Sequence, residues 1–140
     1  FAEWTHKFDG EEKNEQAAVA QAACELAENI RAAALITLTR SGSTARSVAR
    51  HKPACPVLAF TPDADTCRRL ALVWGCLPVL LPMEDEIGPL LEGAMRAAGA
   101  TGLVKAGESV VITAGVPLRI SGITNLIKVQ KMGADLPAAQ

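Results

Sequence analysis

The sequence predicts an α/β fold, a three-layer α/β/α sandwich in which helices cover both faces of a mostly parallel sheet. Segments with helical periodicity alternate with short apolar segments rich in β-branched residues, and this alternation is typical of parallel strands joined by crossover helices. The strand segments are nearly unbroken apolar runs, as expected where a sheet is buried on both faces. With 140 residues, the chain is long enough for one domain with a substantial core.

The first half of the chain gives two helices and two strands. A helix is predicted at 12–32, because this segment is alanine-rich, lacks Gly and Pro, and repeats small apolar residues at helical spacing. A strand follows at 35–39, and a polar turn leads from it into a second helix at 43–51, which Pro53 ends. The next apolar run predicts a strand at 56–60.

The third helix is predicted at 63–74. Thr61 is expected as its N-cap, Pro62 at its first helical position and Asp63 as an acid in its first turn. Gly75 suits the C-terminal cap. The apolar face of this helix is predicted to consist of Cys67, Leu70, Ala71 and Trp74.

The remaining elements are strands at 77–81, 108–113 and 124–129 and a helix at 84–98. Pro78 removes a backbone donor from the first of these strands, so it lies at an edge of the sheet or at the start of the strand. The helix carries an apolar stripe formed by Ile87, Leu90, Leu91, Ala94 and Met95. We expect the domain at 15–132, a linker or docking arm at 1–14 and a flexible tail at 133–140.

Composition and charge argue against several classes of protein. The formal net charge is −1, which disfavours a protein built to bind nucleic acid or an acidic membrane. No apolar run approaches the roughly 20 residues needed to span a bilayer. The cysteines are Cys24, Cys55, Cys67 and Cys76. They lack C-x-x-C spacing and companion histidines, so we expect small buried thiols, no metal site and a reducing, cytoplasmic compartment.

The turn after the first strand is the main candidate site. Hydroxyl groups dominate its six residues, Thr39, Arg40, Ser41, Gly42, Ser43 and Thr44. The first backbone N–H groups of a helix are unpaired and carry partial positive charge, so an anion binds well there. We interpret the turn as a phosphate cradle, to which Arg46 adds positive charge. The alternative is ordinary helix capping, in which Ser or Thr side chains satisfy the same N–H groups.

A second loop, between the last two strands, is expected at the same end of the sheet, where ligands of such folds bind. Its glycines and hydrogen-bond donors are Gly115, Arg119, Ser121, Gly122 and Thr124. Together the two loops could close over one small anionic ligand. Taken alone, these glycines are ordinary turn residues and Arg119 is a surface charge, so their assignment depends on the position of the loop.

No catalytic residue is assigned. The chain lacks the P-loop pattern, the G-x-S-x-G elbow and the H-E-x-x-H metal motif. The acidic run Glu84-Asp85-Glu86 lies where a helix is predicted to begin. Because acids at a helix start oppose the helix dipole, we interpret this run as part of the helix rather than as a metal site.

Short motifs follow one another along the chain, at 39–45, 50–56, 59–62, 66–70, 74–79, 113–117 and 121–129. Among the most specific are Thr39-Arg40-Ser41-Gly42-Ser43-Thr44-Ala45 and Arg50-His51-Lys52-Pro53-Ala54-Cys55-Pro56. In this order the motifs resemble the C-terminal domain of pyruvate kinase. The resemblance extends over residues 15–131, nearly the whole chain.

The resemblance implies a five-stranded domain whose last strand is antiparallel, within a homotetrameric enzyme. That enzyme transfers a phosphoryl group from phosphoenolpyruvate to ADP in glycolysis, with Mg²⁺ and usually K⁺, in a separate catalytic barrel domain. The C-terminal domain of the family instead binds phosphorylated allosteric effectors and supplies a subunit interface. We therefore expect no cofactor in this chain, and as partners its own catalytic domain, further copies and an effector.

By position, the phosphate loop of the family falls on the turn described above, and its flexible effector loop on 114–124. Animal enzymes activated by fructose bisphosphate carry an arginine where this chain has Ser43 and another near Leu90, so a second phosphate would lack its clamp. The resemblance thus implies a sugar monophosphate or AMP as effector. The alternative is a structural, oligomerisation module with a vestigial anion site, in contact through residues 63–74 and 124–131.

Overall fold

The computed structural model describes residues 15–115 and 124–133. Its helices are α1 (Glu15–Asn29), α2 (Ser43–Ala49), α3 (Ala64–Leu70) and α4 (Ile87–Ala100). Its strands are β1 (Ala34–Leu38), β2 (Val57–Thr61), β3 (Cys76–Leu80), β4 (Ser109–Ala114) and β5 (Leu126–Lys131). The predicted arm at 1–14 and the predicted tail beyond residue 133 lie outside the described residues.

The five strands form one mixed sheet in the order β3-β2-β1-β4-β5. β1 pairs in parallel with β2 and β4, and β2 pairs in parallel with β3. β4 and β5 are antiparallel, with Val111 opposite Val129. The predicted mostly parallel sheet with an antiparallel last strand is therefore confirmed. β3, which contains Pro78, is an edge strand, where the missing backbone donor is tolerated.

The helices are distributed unequally over the two faces of the sheet. α4 covers one face, where Leu90 and Met95 pack against Ile36, Leu58 and Phe60. α1, α2 and α3 cover the other face. Successive strand residues point to opposite faces, and the residues that point to this one include Leu35 and Ala59. There the small side chains of α1 pack against the sheet; they are Ala20, Ala23, Cys24 and Ala27. The predicted three-layer sandwich is present, with three helices on one face and one on the other.

The third helix ends earlier than predicted. α3 stops at Leu70, and the N–H groups of Leu72 and Val73 then donate to carbonyl oxygens three residues back, at 3.2 and 3.0 Å, which is a tighter winding than an α-helix. Gly75, with φ of 81°, reverses the chain. Its carbonyl oxygen accepts from the Val57 N–H at 3.0 Å, so the chain enters the sheet at this point.

The early end of α3 overturns part of its predicted apolar face. Trp74 is 81% exposed, and Ala71 is also exposed, because the residues after Leu70 no longer follow helical spacing. Val73 packs beside Leu70 and Ala59 instead. The prediction was therefore wrong for Ala71 and Trp74.

The four cysteines are free thiols at various depths in the domain. Cys24 is buried, and its Sγ donates to the Val48 carbonyl oxygen at 3.6 Å. Burial raises the pKa of the Cys24 and Cys76 thiols to about 11. Both groups therefore stay protonated at neutral pH and behave as small apolar side chains.

Candidate functional site

Every buried polar side chain in the described ranges is a threonine, and these threonines gather at one end of the sheet. The seven are Thr37, Thr39, Thr44, Thr61, Thr66, Thr113 and Thr124. They lie near the carboxyl ends of β1, β2 and β4, in the first turn of α2 or α3, or just before β5. Six of these hydroxyl groups make hydrogen bonds, whereas the Thr37 Oγ1 has no partner among the described residues. Polar contacts therefore concentrate at this end of the sheet, which includes the turn at 39–44.

The turn between β1 and α2 is closed by its own hydroxyl groups. The Thr39 N–H still donates to the Phe60 carbonyl oxygen of the neighbouring strand at 2.9 Å. The Thr39 Oγ1 accepts from the Gly42 N–H at 2.9 Å, and the Ser41 Oγ accepts from the Ser43 N–H at 3.4 Å. Such local bonds from Ser and Thr stabilise turns. The N–H groups of Gly42 and Ser43, which the sequence predicted to be free for a ligand, are thus already bonded within the turn.

Gly42 is required by the shape of this turn. It is the N-cap of α2 and has φ of 89°, a left-handed conformation that side chains with a Cβ disfavour. A Cβ built on it would lie 2.9 Å from Arg46 Nη1 and 3.2 Å from Leu70 Cδ2. The left-handed backbone conformation therefore favours glycine here, and the close contact with Leu70 adds to that preference.

The carbonyl group of Arg40 ties the turn to the next βα unit. It accepts from the Thr66 hydroxyl, with 2.8 Å between oxygens, and from the Thr61 hydroxyl at 3.3 Å. The Thr66 Oγ1 also lies 2.7 Å from Asp63 Oδ2, so these two acceptors share one proton. Arg69 Nη2 donates to the same Thr66 oxygen at 3.3 Å. The turn after β1 is thus anchored on β2 and α3.

Asp63, not Thr61, is the N-cap of α3. Its carboxylate accepts from the Thr66 N–H at 3.2 Å. The bonds from the Thr66 hydroxyl and amide hold the pKa of Asp63 below its usual range. The Thr61 hydroxyl instead donates to the Arg40 carbonyl oxygen and accepts from the Asp63 N–H. The N-cap therefore lies two residues later in the chain than predicted.

The two predicted loops meet at a pair of buried hydroxyl groups. The Oγ1 atoms of Thr44 and Thr124 lie 2.7 Å apart, although the residues are 80 positions apart in the chain. The Asn125 N–H donates to the Ala114 carbonyl oxygen at 3.1 Å, which closes the base of the second loop. Thr44 belongs to the first turn of α2 and Thr124 to the end of the second loop, so the two segments are in direct contact.

The other predicted residues of the second loop divide into two groups. Gly115 follows β4 directly and is half-buried. Arg119, Ser121 and Gly122 lie outside the described residues. The structure therefore brings together Thr44 and Thr124 and leaves the remaining loop donors as predictions.

Two arginines and the helix α1 lie beside the turn. Arg40 and Arg46 are exposed, and Arg46 Nη2 donates to the Ser41 carbonyl oxygen at 3.0 Å. Gln16, near the start of α1, donates through Nε2 to the Ser43 Oγ at 2.6 Å. The turn thus lies between α1, α2 and α3, with guanidinium groups at its exposed side.

Several residues of this arrangement were not predicted. Thr61 and Asp63 could have been found, because Thr61 ends the strand beside β1 and Asp63 comes two residues later, so both lie at the same end of the sheet. Thr66 carries no signal beyond its place in a first helical turn. Gln16 and Arg69 approach the turn only through tertiary packing, so local pattern could not single them out.

Two cavities of the described residues lie beside α1, away from the turn. Cavities of about 270 and 380 Å³ open between α1 and the segment 51–55, and residues 39–44 line neither of them. No group of three or more His, Cys, Asp and Glu side chains in the described ranges is placed to hold a metal ion. Within the same ranges, no helix has the length and apolar character to cross a membrane.

Comparison with known proteins decides the family. A family model described as pyruvate kinase, alpha/beta domain, matches residues 17–130. The chain belongs to this family. The match confirms the resemblance noted on the motifs, and its range includes both the turn at 39–44 and the second loop.

Relatives with the pyruvate kinase name are found in several bacteria. The chain is 38% identical to pyruvate kinase of Clostridium acetobutylicum over 120 residues, which are 86% of this chain and 25% of the relative. It is 44% identical to pyruvate kinase of Geobacillus stearothermophilus over 123 residues, 88% of this chain and 21% of the relative. It is 39% identical to pyruvate kinase 2 of Synechocystis over 119 residues, which are 85% of this chain and 20% of the relative. The chain thus spans about a fifth to a quarter of the length of these relatives.

Proposed function

We propose that this chain is the regulatory C-terminal domain of a pyruvate kinase and binds a phosphorylated effector between the turn at 39–44 and the second loop. The observation that carries the proposal is the contact between the Thr44 and Thr124 hydroxyl groups. It joins the start of α2 to the end of the second loop. A ligand that bonds to the turn would therefore bias the conformation of the loop, and through it the parent enzyme.

The chemistry of the turn suits one phosphate group. A hydroxyl that accepts an N–H bond, as those of Thr39 and Ser41 do, still has its own proton to donate to a phosphate oxygen. The guanidinium groups of Arg40 and Arg46 add charge-assisted donors. The N-terminal end of α2 contributes its partial positive charge.

At the two positions compared, this chain has no arginine for a second phosphate group. Ser43 stands where the family members activated by fructose bisphosphate have an arginine, so a neutral hydroxyl, which accepts from Gln16 and keeps its own proton to donate, replaces a charged guanidinium. Leu90, the other position in question, lies on the inner face of α4 and is 1% exposed. These two positions support a sugar monophosphate or AMP as the effector.

The parent polypeptide, on this proposal, transfers a phosphoryl group from phosphoenolpyruvate to ADP and assembles as a tetramer in the cytoplasm. The chemistry takes place in the part of the polypeptide outside this chain. On this proposal, Mg²⁺ and K⁺ act in that same part of the polypeptide.

Titration calorimetry tests the binding proposal. Glucose 6-phosphate and AMP are titrated into the wild-type chain, into Thr39→Ala/Ser43→Ala and into Ser109→Ala, which removes a hydroxyl at the opposite end of the sheet. We expect binding to the wild type and to Ser109→Ala, and a loss of about tenfold or more in the double variant, since each hydroxyl bond to a charged ligand contributes about 1.5–3 kcal/mol. Glucose and adenosine serve as phosphate-free controls.

Two results would overturn effector binding at the turn. One is the absence of binding by any phosphorylated ligand at about 1 mM, which corresponds to only about 4 kcal/mol. The other is equal binding by the wild type and the double variant, provided that circular dichroism shows both to be folded.

A second candidate function, a purely structural assembly module, is favoured by β5. Among the described strands β5 is at an edge of the sheet, and Val129 on it is 47% exposed; an edge strand can pair with a strand of a second copy. Sedimentation equilibrium decides: self-association that persists without any phosphate binding would favour this candidate, and a strictly monomeric chain would count against it.

A further inference from the structure

Gln16, in the first turn of α1, is bonded to the candidate site although it is distant from that site in the sequence. Its Nε2 donates to the Ser43 Oγ at 2.6 Å, across 27 positions of the chain. Ser43 is the first residue of α2 and belongs to the turn at 39–44. The first turn of α1 therefore borders this turn.

The topology of the fold brings Gln16 to this end of the sheet. α2 lies in the crossover between the parallel strands β1 and β2, so it begins at the carboxyl end of β1. α1 runs beside α2 in the same direction, because Gln16 meets Ser43 at the start of both helices and Cys24 meets the Val48 carbonyl group further along. The two helices thus begin side by side at the carboxyl end of β1.

Packing holds Gln16 on the inner side of α1. Ala20 and Ala23 follow it at helical spacing on the same face, and both are fully buried. Gln16 itself is half-buried and forms the polar end of this apolar stripe. A side chain that is already held by packing and by a hydrogen bond loses little conformational entropy when a ligand binds to it.

The carboxamide of Gln16 keeps hydrogen-bonding capacity after its bond to Ser43. Its Nε2 carries two protons, of which Ser43 accepts one, and the Ser43 hydroxyl keeps its own proton to donate. A phosphate oxygen that accepts from the Ser43 Oγ at the usual distance lies about 4–5 Å from Gln16 Nε2. A small rotation of the carboxamide brings the second proton to that oxygen. Donors from α1 and α2 therefore converge where one phosphate group would lie.

We propose that Gln16 is a binding residue of the effector site and that a phosphorylated ligand at the turn fastens the first turn of α1. The inference rests on the proposed function, since it takes the ligand at the turn to be a phosphate ester. It adds to the site a donor from an element outside the two loops. Because this donor belongs to α1, the start of that helix responds to the ligand as well as the second loop does.

Calorimetric titrations with AMP and with glucose 6-phosphate compare the wild-type chain with Gln16→Ala and Gln16→Glu. Gln16→Ala removes the donor, and we expect binding to weaken about tenfold, because a hydrogen bond to a charged group is lost. Gln16→Glu keeps the shape and places a negative charge beside the phosphate, so binding should weaken about a hundredfold. This second loss should shrink in about 1 M KCl, where the screening length is about 3 Å.

Gln21→Glu is the matched control. It adds the same charge to α1 at an exposed position, more than one helical turn from Gln16, where the side chain bonds to Glu25 instead. We expect it to change the affinity less than about twofold, because exposed charges at that separation are largely screened.

Amide hydrogen exchange tests the response of α1 in the same variants. The N–H groups of residues 19 and 20 close the first turn of this helix. A saturating amount of the ligand that binds should slow their exchange about fivefold in the wild type and in Gln21→Glu, since a fastened turn opens less often. In Gln16→Ala, saturated with the same ligand, their exchange should not change.

Equal affinity of the wild type and Gln16→Glu would overturn the role of Gln16, and so would equal weakening by Gln16→Glu and Gln21→Glu. Unchanged exchange of residues 19 and 20 in the saturated wild type would contradict the response of α1. Failure of the proposed function has a different signature, the absence of binding by the wild type itself. Circular dichroism establishes that each variant is folded, and Gln16→Glu, which keeps the shape, carries the test if Gln16→Ala is not.

Discussion

The turn after β1 and the turn before β3 both depend on a glycine with positive φ, 89° at Gly42 and 81° at Gly75, but their surroundings are opposite. A Cβ on Gly42 would meet Arg46 and Leu70, whereas a Cβ on Gly75 would meet nothing within 4 Å. The first turn holds buried hydroxyl groups, and the second exposes Trp74. The first turn is therefore fixed by contacts inside the domain, whereas Gly75 in the second has open space around it among the described residues.

The largest expected effect comes from substituting the two glycines. Both Gly42→Ala and Gly75→Ala place a Cβ in the left-handed region, at a cost of about 1–2 kcal/mol. Gly42→Ala adds crowding against the buried Leu70, worth a further 1–3 kcal/mol or so, although Arg46 can move away. Urea unfolding at pH 7 measures both. Equal losses of unfolding free energy would contradict the difference in packing between the two turns.

The hydroxyl pair that joins the two loops gives the next effect. Thr44→Val and Thr124→Val should each lower the free energy of unfolding by about 1–2 kcal/mol, because each leaves a buried hydroxyl without its partner. The double variant should lose less than the sum, since it removes both groups. Additive losses in the double-mutant cycle would show that the 2.7 Å contact carries no coupling.

A Thr→Val substitution at Thr37, in β1, should have the opposite effect on stability. The Thr37 Oγ1 is buried and has no hydrogen-bond partner among the described residues. Thr37→Val keeps the shape and removes the unsatisfied hydroxyl, so we expect a gain of about 1 kcal/mol in unfolding free energy. Thermal unfolding compared with Thr44→Val checks this prediction. A loss at both positions would contradict it.

Asp63→Asn should show the smallest effect and a dependence on pH. Because the pKa of Asp63 is lowered in the folded chain, the carboxylate contributes stability above its unfolded pKa, and this contribution is lost as pH falls through the folded value. The variant should therefore be less stable than wild type at neutral pH and equal to it in strong acid. Urea midpoints at several pH values measure the difference, and a difference independent of pH would exclude the carboxylate as its cause.

The fold followed from the sequence because its signals are local. Apolar runs, alternation with helical segments and the alanine-rich face of α1 each depend on neighbouring residues. The position of the turn at 39–44 at the carboxyl end of the central strand followed from the same alternation. These features need no knowledge of which side chains meet across the domain.

The remaining features of the site depend on contacts between distant segments. The bond from Thr66 to the Arg40 carbonyl group, the bond from Gln16 to Ser43, and the contact of Thr44 with Thr124 join residues at least 26 positions apart. Trp74 was placed in the core because helical spacing was extended past Leu70, where the chain in fact turns into β3. Hydrophobicity alone could not show that the Trp74 side chain is exposed rather than buried.

A titration of the ¹⁵N-labelled chain with AMP, followed by NMR, tests effector binding at the two loops most directly. Ligand bound between the loops should shift the amide signals of residues 39–45 and of Thr124 and Asn125 together, with one Kd, because the Thr44–Thr124 contact couples them. Adenosine should leave these signals unchanged. Shifts confined to residues 21–28 and 51–55, around the cavities beside α1, or shifts in one loop without the other, would contradict the proposed site.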